Sequence, residues 1–75
     1  MIKTVAELTE GEEATVVGVR GRGAIRTRLL EMGLTRGTRL TMIGRAPLGD
    51  PLEVKVRGYL LALRREEARD IVVET

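Results

Sequence analysis

The alternation of apolar and polar residues along the chain predicts a series of short β-strands. Five segments carry either regular alternation or a run of β-branched and apolar side chains: 14–19, 38–45, 52–57, 59–63 and 70–74. Ile43 interrupts the alternation of the second segment, which indicates either a bulge or a partly covered outer face at that point. The segment 59–63, Tyr-Leu-Leu-Ala-Leu, is apolar along its length and is expected to be buried on most sides.

One helix is predicted between the first two of these strands. In residues 24–32 the side chains of Ile25, Leu29 and Met32 recur at i, i+4 and i+7, which predicts one apolar face. Gly33 follows at the position where a left-handed residue commonly ends a helix. We therefore expect the helix to lie on the domain through this face and to end at the glycine.

Two shorter helical segments complete the prediction. Residues 4–7, Thr-Val-Ala-Glu, have the spacing of a capping box, in which Glu7 accepts a hydrogen bond from the Thr4 amide. Val5 and Leu8 are expected to point inward from this segment. Residues 64–70 are predicted to form one helical turn before the last strand.

This order of elements favours a mainly β fold. Five short, closely spaced strands in 75 residues are typical of a compact barrel, which would occupy residues 1–75 as a single domain. Barrel closure would remove the exposed sheet edges that invite aggregation. Hydrophobic residues make up 43% of the chain, which is enough for one core. Leu29 and Leu61 are the residues most expected to be buried in it.

The composition excludes several classes of function. The chain has no cysteine and no histidine, so it has no thiolate or imidazole metal site and no Ser–His or Cys–His nucleophile. Tyr59 is the only aromatic residue, which argues against a stacking platform for single-stranded nucleic acid. No titratable pair lies in a recognisable catalytic motif. We expect a binding protein without a cofactor rather than an enzyme.

The pattern of hydrophobicity also bears on localisation. No stretch approaches the roughly 20 apolar residues of a membrane-spanning helix. The first residues contain no apolar signal core. We therefore expect a cytoplasmic protein.

Charge is distributed unevenly along the chain. Residues 20–45 contain seven arginines, against which Glu31 is the only acidic residue. This basic block is either a footprint for an acidic partner or a solvated surface, and the spacing of the arginines favours the second interpretation. Arg28 and Glu31 can pair along the helix, since they lie three residues apart.

Two groups of acidic residues are weak candidates for holding a divalent cation through oxygen ligands. The members of the first group are Glu10, Glu12 and Glu13, and those of the second are Glu66, Glu67 and Asp70. Such groups are more often solvated faces or helix-end charges. Neither group is a confident metal site.

A longer motif carries a family resemblance. Residues 28–37, Arg-Leu-Leu-Glu-Met-Gly-Leu-Thr-Arg-Gly, resemble the central motif of the FeoA family of ferrous iron transport proteins. The likeness extends over the whole chain through several further segments: 5–11, 47–51, 54–58, 61–64, 67–68 and 71–73. The motif in 28–37 is the specific part, since the strand patterns alone would be weak evidence.

The resemblance implies an SH3-like β-barrel with a helix inserted after the first strand. It also implies a small cytosolic accessory protein of bacterial ferrous iron uptake. The expected partner is a membrane permease with a cytosolic GTP-binding domain, and no nucleic acid is expected. Because the candidate acidic groups lack imidazole ligands, we do not expect the protein to be a tight iron carrier.

Two alternatives stay open at this stage. One is a small barrel that binds nucleic acid through the arginines of the basic block. The other is a regulatory domain similar to the C-terminal domain of metal-dependent repressors, although the free-standing form is favoured. The sequence also leaves weak self-association open.

The exposed face of the helix and the proline-rich loop are the candidate contact surface for a partner. Arg26 and Arg28 lie on the helix, and Leu48 and Asp50 lie in the loop 46–51. An apolar side chain in such a loop is either an anchor for a partner or a lid that folds back on the barrel. The sequence does not choose between these interpretations of Leu48.

Overall fold

Six antiparallel strands form one sheet in the computed structural model, which describes residues 1–75. The strands are β1 Ile2–Thr4, β2 Glu13–Val19, β3 Arg39–Arg45, β4 Leu52–Val56, β5 Tyr59–Leu63 and β6 Ile71–Glu74. Two helices interrupt them, α1 Gly23–Glu31 and α2 Arg65–Ala68, and a 3-10 turn spans Val5–Glu7. The strand order is β1-β6-β2-β3-β4-β5. The expectation of a mainly β fold is confirmed.

The strand β1 is the element that the sequence pattern missed. It has three residues, Ile-Lys-Thr, which are too few to display an alternation. This strand forms because it pairs antiparallel with β6, with Lys3 opposite Val73. The terminal residues extend this pairing, since the ammonium group of Met1 donates to the Thr75 carbonyl oxygen and the main-chain N–H of Thr75 donates to the Met1 carbonyl oxygen. The sheet therefore has six strands rather than five, and it ends at β1 on one side and at β5 on the other. The expectation that closure removes the exposed sheet edges is wrong, because β1 and β5 do not pair with each other.

The core is one cluster of buried apolar side chains, to which every strand except β1 contributes. The inward residues of β4 are Leu52, Val54 and Val56, which are all fully buried, as the strict alternation predicts. Val5 and Leu8 are fully buried as well, and the Thr4 amide donates a hydrogen bond of 2.7 Å to Glu7 Oε1. Both predictions for the N-terminal segment are confirmed.

Helix α1 uses a narrower contact face than its sequence predicts. Leu29 is fully buried and Met32 is partly buried, but Ile25 is 54% exposed. All residues from the start of the helix to Arg28 are exposed, so only its C-terminal half lies on the core. The prediction that Ile25 shares the buried face is wrong, because the first turn of α1 projects past the edge of the core and has nothing to pack against.

Strand β5 is the largest departure from the sequence-based expectation. Tyr59 and Leu60 are exposed, at 43% and 58%, and Ala62 is exposed too. Leu61 is only partly buried, and Leu63 alone is fully buried. The strand was expected to be covered on most sides, but it pairs only with β4 and forms an edge of the sheet. The expectations of a buried strand and of a fully buried Leu61 are therefore wrong.

The predicted irregularity in β3 is present. The register between β3 and β4 shifts between Met42 and Gly44, which leaves Ile43 37% exposed. The bulge turns an apolar residue outward at the end of the sheet that carries the loop 46–51. It thereby helps to shape the surface described next.

Candidate protein-interaction surface

The two helices are joined by a carboxylate that lies almost entirely out of solvent. Glu67 has a side-chain exposure of 7%, and its Oε2 lies 2.8 Å from Nη1 of Arg28. Its other oxygen, Oε1, accepts a hydrogen bond of 2.8 Å from the main-chain N–H of Arg64. One carboxylate therefore satisfies an orphan donor at the start of α2 and anchors the middle of α1. The predicted pairing of Arg28 with Glu31 is wrong, because the nearer acid comes from α2.

Asp50 connects the proline-rich loop to the same helix start. Its Oδ1 accepts a hydrogen bond of 3.0 Å from the main-chain N–H of Arg65. The loop is closed on itself by two main-chain bonds, from Gly49 to the Ala46 carbonyl and from Ala46 to the Pro51 carbonyl. The loop and the first turn of α2 thus hold each other in place.

Leu48 lies at the outermost point of this loop. Its side chain is 91% exposed, more than any other large hydrophobic residue of the chain. The interpretation of Leu48 as a lid that folds back on the barrel is therefore wrong. A leucine held in solvent by a closed loop is an apolar contact point without an intramolecular partner.

Two open grooves lie on either side of the loop. The first has a volume of about 300 Å³ and is lined by Arg28, Asp50, Pro51, Ala62, Leu63, Arg64 and Glu67. The second has a volume of about 380 Å³ and is lined by Ile43, Gly44, Arg45, Ala46, Pro51, Leu52, Glu53 and Ala62. Pro51 and Ala62 line both grooves. We call the first the charged groove and the second the apolar groove.

The structure brings together three of the four predicted contact residues. Arg28 and Asp50 line the charged groove, and Leu48 lies on the loop that borders it. Arg26 does not line it, and its Nε donates to the carbonyl oxygen of Val19 at 3.3 Å. Residues two apart on a helix point in different directions, which separates Arg26 from Arg28. Sequence reasoning did not single out Arg64 and Ala62, which also line the charged groove.

Most arginines of the basic block form hydrogen bonds within the chain. Five of the seven donate to carbonyl or carboxylate oxygens of the chain: Arg20, Arg26, Arg28, Arg39 and Arg45. Arg45, for example, donates to the carbonyl oxygens of Ala6 and Leu8. These arginines connect different elements of the fold, since a guanidinium offers several donors in a fixed plane. Arg22 and Arg36 make no polar side-chain contact.

The acidic candidates for a cation site are dispersed. No group of three or more acidic side chains has an arrangement that would hold a metal ion. In the first group, Glu12 pairs with Lys3 at 2.9 Å and Glu13 pairs with Arg39 at 2.6 Å. In the second group, Glu67 is held by Arg28 and by the main chain of α2.

Two carboxylates titrate below their ordinary range because the main chain stabilises their charged forms. The pKa of Glu7 is lowered from 4.5 chiefly by the hydrogen bond from the Thr4 amide. The pKa of Glu12 is lowered chiefly by the Thr9 amide and then by Lys3. Both residues lie in the segment before β2, so their charges support local turns rather than the grooves.

Comparison with known proteins gives a consistent result. Residues 3–75 match the FeoA domain family. A fusion of Fe(2+) transport protein A with Fe(2+) transporter FeoB from Porphyromonas gingivalis is 44% identical over 70 residues, which are 93% of this chain. The chain spans 8% of the length of that fusion protein.

Solved structures share the fold. The FeoA protein of Chlorobium tepidum superposes with a TM-score of 0.87 at 45% identity, over 95% of this chain and 68% of that one. FeoA of Stenotrophomonas maltophilia, crystallised with zinc and described as an SH3 domain protein, superposes with a TM-score of 0.83 at 36% identity. That comparison covers 95% of this chain and 88% of the other, and the SH3-like fold is confirmed. Neither helix of this chain has the length and apolar character to cross a membrane.

Proposed function

This chain belongs to the FeoA family, and we propose on that basis that it is a cytosolic accessory protein of bacterial ferrous iron uptake. In this proposal it acts by binding the cytosolic GTP-binding domain of the ferrous iron permease. It catalyses no reaction of its own. Its contribution is a contact surface that changes what the permease does.

The observation that carries the proposal is the fusion in Porphyromonas gingivalis. In that protein a domain similar to this chain is covalently joined to the transporter FeoB. Covalent linkage keeps two domains at a high effective concentration, which is useful when they work on each other. A separate domain of the same kind would need a surface that finds the permease by itself.

The surface we propose for this contact is the exposed Leu48 with the rim of the charged groove. Binding energy at protein interfaces concentrates in a few apolar or arginine side chains that become desolvated. Leu48, at 91% exposure, offers the apolar anchor, and Arg28 and Arg64 offer guanidinium groups in the groove that the same loop lines through Asp50 and Pro51. Asp50 contributes by holding the loop against α2.

The donor set of the chain argues that this role does not require tight iron binding. Ferrous iron in proteins is commonly held by imidazole and carboxylate ligands, and the chain has no histidine. Three of the acidic candidates, Glu12, Glu13 and Glu67, are paired with basic side chains. Anaerobic calorimetry with ferrous iron tests this point, and submicromolar binding by the pure monomer would contradict it.

The direct test is an amide NMR titration of the labelled protein with the purified GTP-binding domain of the permease from the same organism. We expect chemical-shift changes in the loop 46–51 and in α1 near Arg28. The titration is repeated with GDP and with a non-hydrolysable GTP analogue, because an accessory protein of a GTPase is expected to distinguish nucleotide states. Absence of shifts in every state would overturn the proposal.

Matched variants locate the surface. Leu48→Asp is expected to weaken binding at least about tenfold, because it removes the apolar anchor without touching the core. Ile2→Asp is the control, since Ile2 is an exposed apolar residue on the edge strand β1 and lines neither groove. Arg28→Glu is avoided, because it would place a second carboxylate beside Glu67 and would disturb the fold itself. Equal binding by Leu48→Asp and the wild type would exclude this surface.

A further inference from the structure

The hairpin between β4 and β5 determines which main-chain groups of β5 remain free. Its two-residue turn, Arg57-Gly58, has φ values of 50° and 85°, and Val56 lies opposite Tyr59. Positive φ at both turn positions is typical of a type I′ turn, whose flanking residues exchange both of their hydrogen bonds. With this turn, every second residue of β5 forms main-chain hydrogen bonds with β4. These residues are Tyr59, Leu61 and Leu63.

Leu60 and Ala62 therefore direct their main-chain N–H and C=O groups away from β4. No other strand pairs with β5, and no other main-chain or side-chain group bonds to these groups. The side chains of both residues are exposed on the outer face of the sheet, Leu60 at 58%. The edge of β5 thus presents two donors and two acceptors at the spacing of a strand.

This edge lacks the protection that exposed edges usually carry. Natural proteins shield edge strands with lysines, prolines, bulges or very short strands. The opposite edge follows that rule, because β1 has three residues and contains Lys3. The five residues of β5, in contrast, include no charge and no proline, and the register with β4 is regular along its length.

Arginines stand at both ends of this unprotected strand. Arg57 precedes it, and Arg64 and Arg65 follow it, all of them exposed. The guanidinium of Arg57 donates from Nη2 to Thr38 Oγ1 at 3.1 Å and keeps its positive charge at that end of the strand. The side chains of Arg64 and Arg65 make no hydrogen bond or ion pair in the chain, so both are free to meet an anion. On β4, Lys55 lies opposite Leu60 and Glu53 lies opposite Ala62, so the neighbouring strand adds one charge of each sign.

We propose that the β5 edge binds an extended apolar segment of another protein that is bracketed by acidic residues. The segment would add a seventh strand to the sheet through Leu60 and Ala62, which is a recurrent mode of peptide recognition. Its acidic ends would meet Arg57 on one side and Arg64 and Arg65 on the other. This goes beyond the proposed function, since it rests on the free edge and not on the identity of the permease.

A second copy of this chain fits the same edge poorly. Antiparallel pairing of Leu60 with Ala62 of another copy would bring the turn with Arg57 of one copy towards the start of α2 with Arg64 and Arg65 of the other. Like charges brought together at both ends of the paired strands repel each other. The charge at the ends of β5 therefore selects an acidic partner over self-pairing.

The probe is a synthetic peptide with the sequence Glu-Glu-Val-Thr-Val-Thr-Val-Glu-Glu, blocked at both ends. There are two control peptides. The first carries lysines in place of the glutamates, and the second carries N-methyl groups on the amides of alternate central residues. We expect the acidic peptide to bind with a Kd on the order of 100 μM, and both controls to bind at least about tenfold more weakly. Binding of the lysine peptide with equal affinity would overturn the assignment of charge.

Hydrogen exchange followed by NMR shows which main-chain amides of β5 become hydrogen-bonded when the peptide binds. On binding, the amides of Leu60 and Ala62 should exchange at least about tenfold more slowly, while those of Tyr59 and Leu61 should change little, since β4 already protects them. Slowing that appears without peptide and grows with protein concentration would mean that a second copy occupies the edge, which overturns the proposal. Unchanged exchange at saturating peptide would do the same.

Two proline variants supply a matched comparison. Leu60→Pro removes an outward N–H from the β5 edge without breaking a bond to β4, and edge strands tolerate proline at such positions. Ile2→Pro is its counterpart at the β1 edge, where Ile2 has the same exposure of 58%. We expect Leu60→Pro to lose at least about tenfold in peptide affinity and Ile2→Pro to lose nothing. Should Leu60→Pro fail to fold, the N-methyl peptide tests the same hydrogen bonds on the wild-type protein.

Arg64→Gln combined with Arg65→Gln tests the charged end. We expect a loss of about threefold to tenfold in affinity and a weaker dependence on salt, because two of the three flanking cations are removed. Arg22→Gln is the control, since Arg22 is exposed and unpaired but lies before α1. Equal effects of the double variant and of the control would contradict the proposal.

Discussion

The guanidinium of Arg28 and the carboxylate of Glu67 lie 2.8 Å apart, although the two residues are 39 positions apart in the chain. The carboxylate is 7% exposed and the guanidinium is 62% exposed. The pair is therefore asymmetric, with a buried anion whose cation partner lies at the surface. It links α1 to α2 at the rim of the charged groove.

Removal of this cation should be costly. In Arg28→Ala the carboxylate of Glu67 stays buried without its charged partner, and we expect a loss of about 1–3 kcal/mol in the free energy of unfolding. Arg26→Ala is the control, since Arg26 is exposed and accounts for a single hydrogen bond of 3.3 Å, and it should lose about 0.5 kcal/mol or less. Urea denaturation measures both. Equal losses would show that the Arg28–Glu67 pair adds nothing specific.

Gly33 combines a backbone requirement with a steric one. It has φ +96°, and a Cβ at this position would lie 3.0 Å from the Tyr59 hydroxyl, which donates a hydrogen bond to the Met32 carbonyl. Gly33→Ala should therefore lose more than the roughly 1–2 kcal/mol of a left-handed alanine. Gly11→Ala, at φ +87° with nothing within 4 Å, isolates the backbone cost alone.

A second background separates the two contributions at Gly33. In Tyr59→Phe the hydroxyl is absent, so the extra loss of Gly33→Ala over Gly11→Ala should shrink. Thermal unfolding is measured for Gly33→Ala and Gly11→Ala, each in the wild-type and in the Tyr59→Phe background. An unchanged difference would mean that the hydroxyl does not resist the new methyl group.

The two inward leucines of β5 should respond very differently to truncation. Leu63 is fully buried, and Leu63→Ala should cost about 2–5 kcal/mol. Leu61 is only partly buried at the sheet edge, so Leu61→Ala should cost about 1 kcal/mol or less. The same denaturation experiment compares them. A larger loss at Leu61 would contradict the exposed position of β5.

Stability should also fall in acid through the N-terminal turns. The pKa values of Glu7 and Glu12 are lowered from 4.5 in the folded chain, so their contribution is present above about pH 4.5 and is lost as the pH falls through the folded values. Glu7→Gln and Glu12→Gln should each flatten the profile below pH 4.5. Glu31→Gln is the control, because its carboxylate makes no hydrogen bond or ion pair. Urea midpoints measured from neutral pH into acid give the profile.

Local signals in the sequence were reliable wherever neighbours in the chain supply the interaction. The hydrogen bond from the Thr4 amide to Glu7, the left-handed Gly33 after α1 and the irregularity at Ile43 all lie where the sequence placed them. In each case the partners lie within a few residues, so their spacing is sufficient. The strict alternation of β4 likewise identified the side chains that enter the core.

Predictions failed where a distant element decided the outcome. The pairing of Arg28 depended on where α2 lies, which residue spacing along α1 does not reveal. Ile25 continues the apolar spacing of Leu29 but lies beyond the surface that the helix covers. Among the candidate contact residues, Leu48 and Arg28 were brought to one region by the loop and the helix pair, whereas Arg26 was turned away.

What the sequence determined by itself was the local structure outside β1, the family and the absence of imidazole and thiolate chemistry. Each of these follows from residue identity and short-range spacing. The tertiary structure alone decided that β5 lies at the edge of the sheet, which leaves Leu60 and Ala62 exposed with free hydrogen-bonding groups. An apolar run in the sequence is the same for a central strand and for an edge strand. The burial of a strand depends on which other strands pair with that strand and not on its own side chains alone.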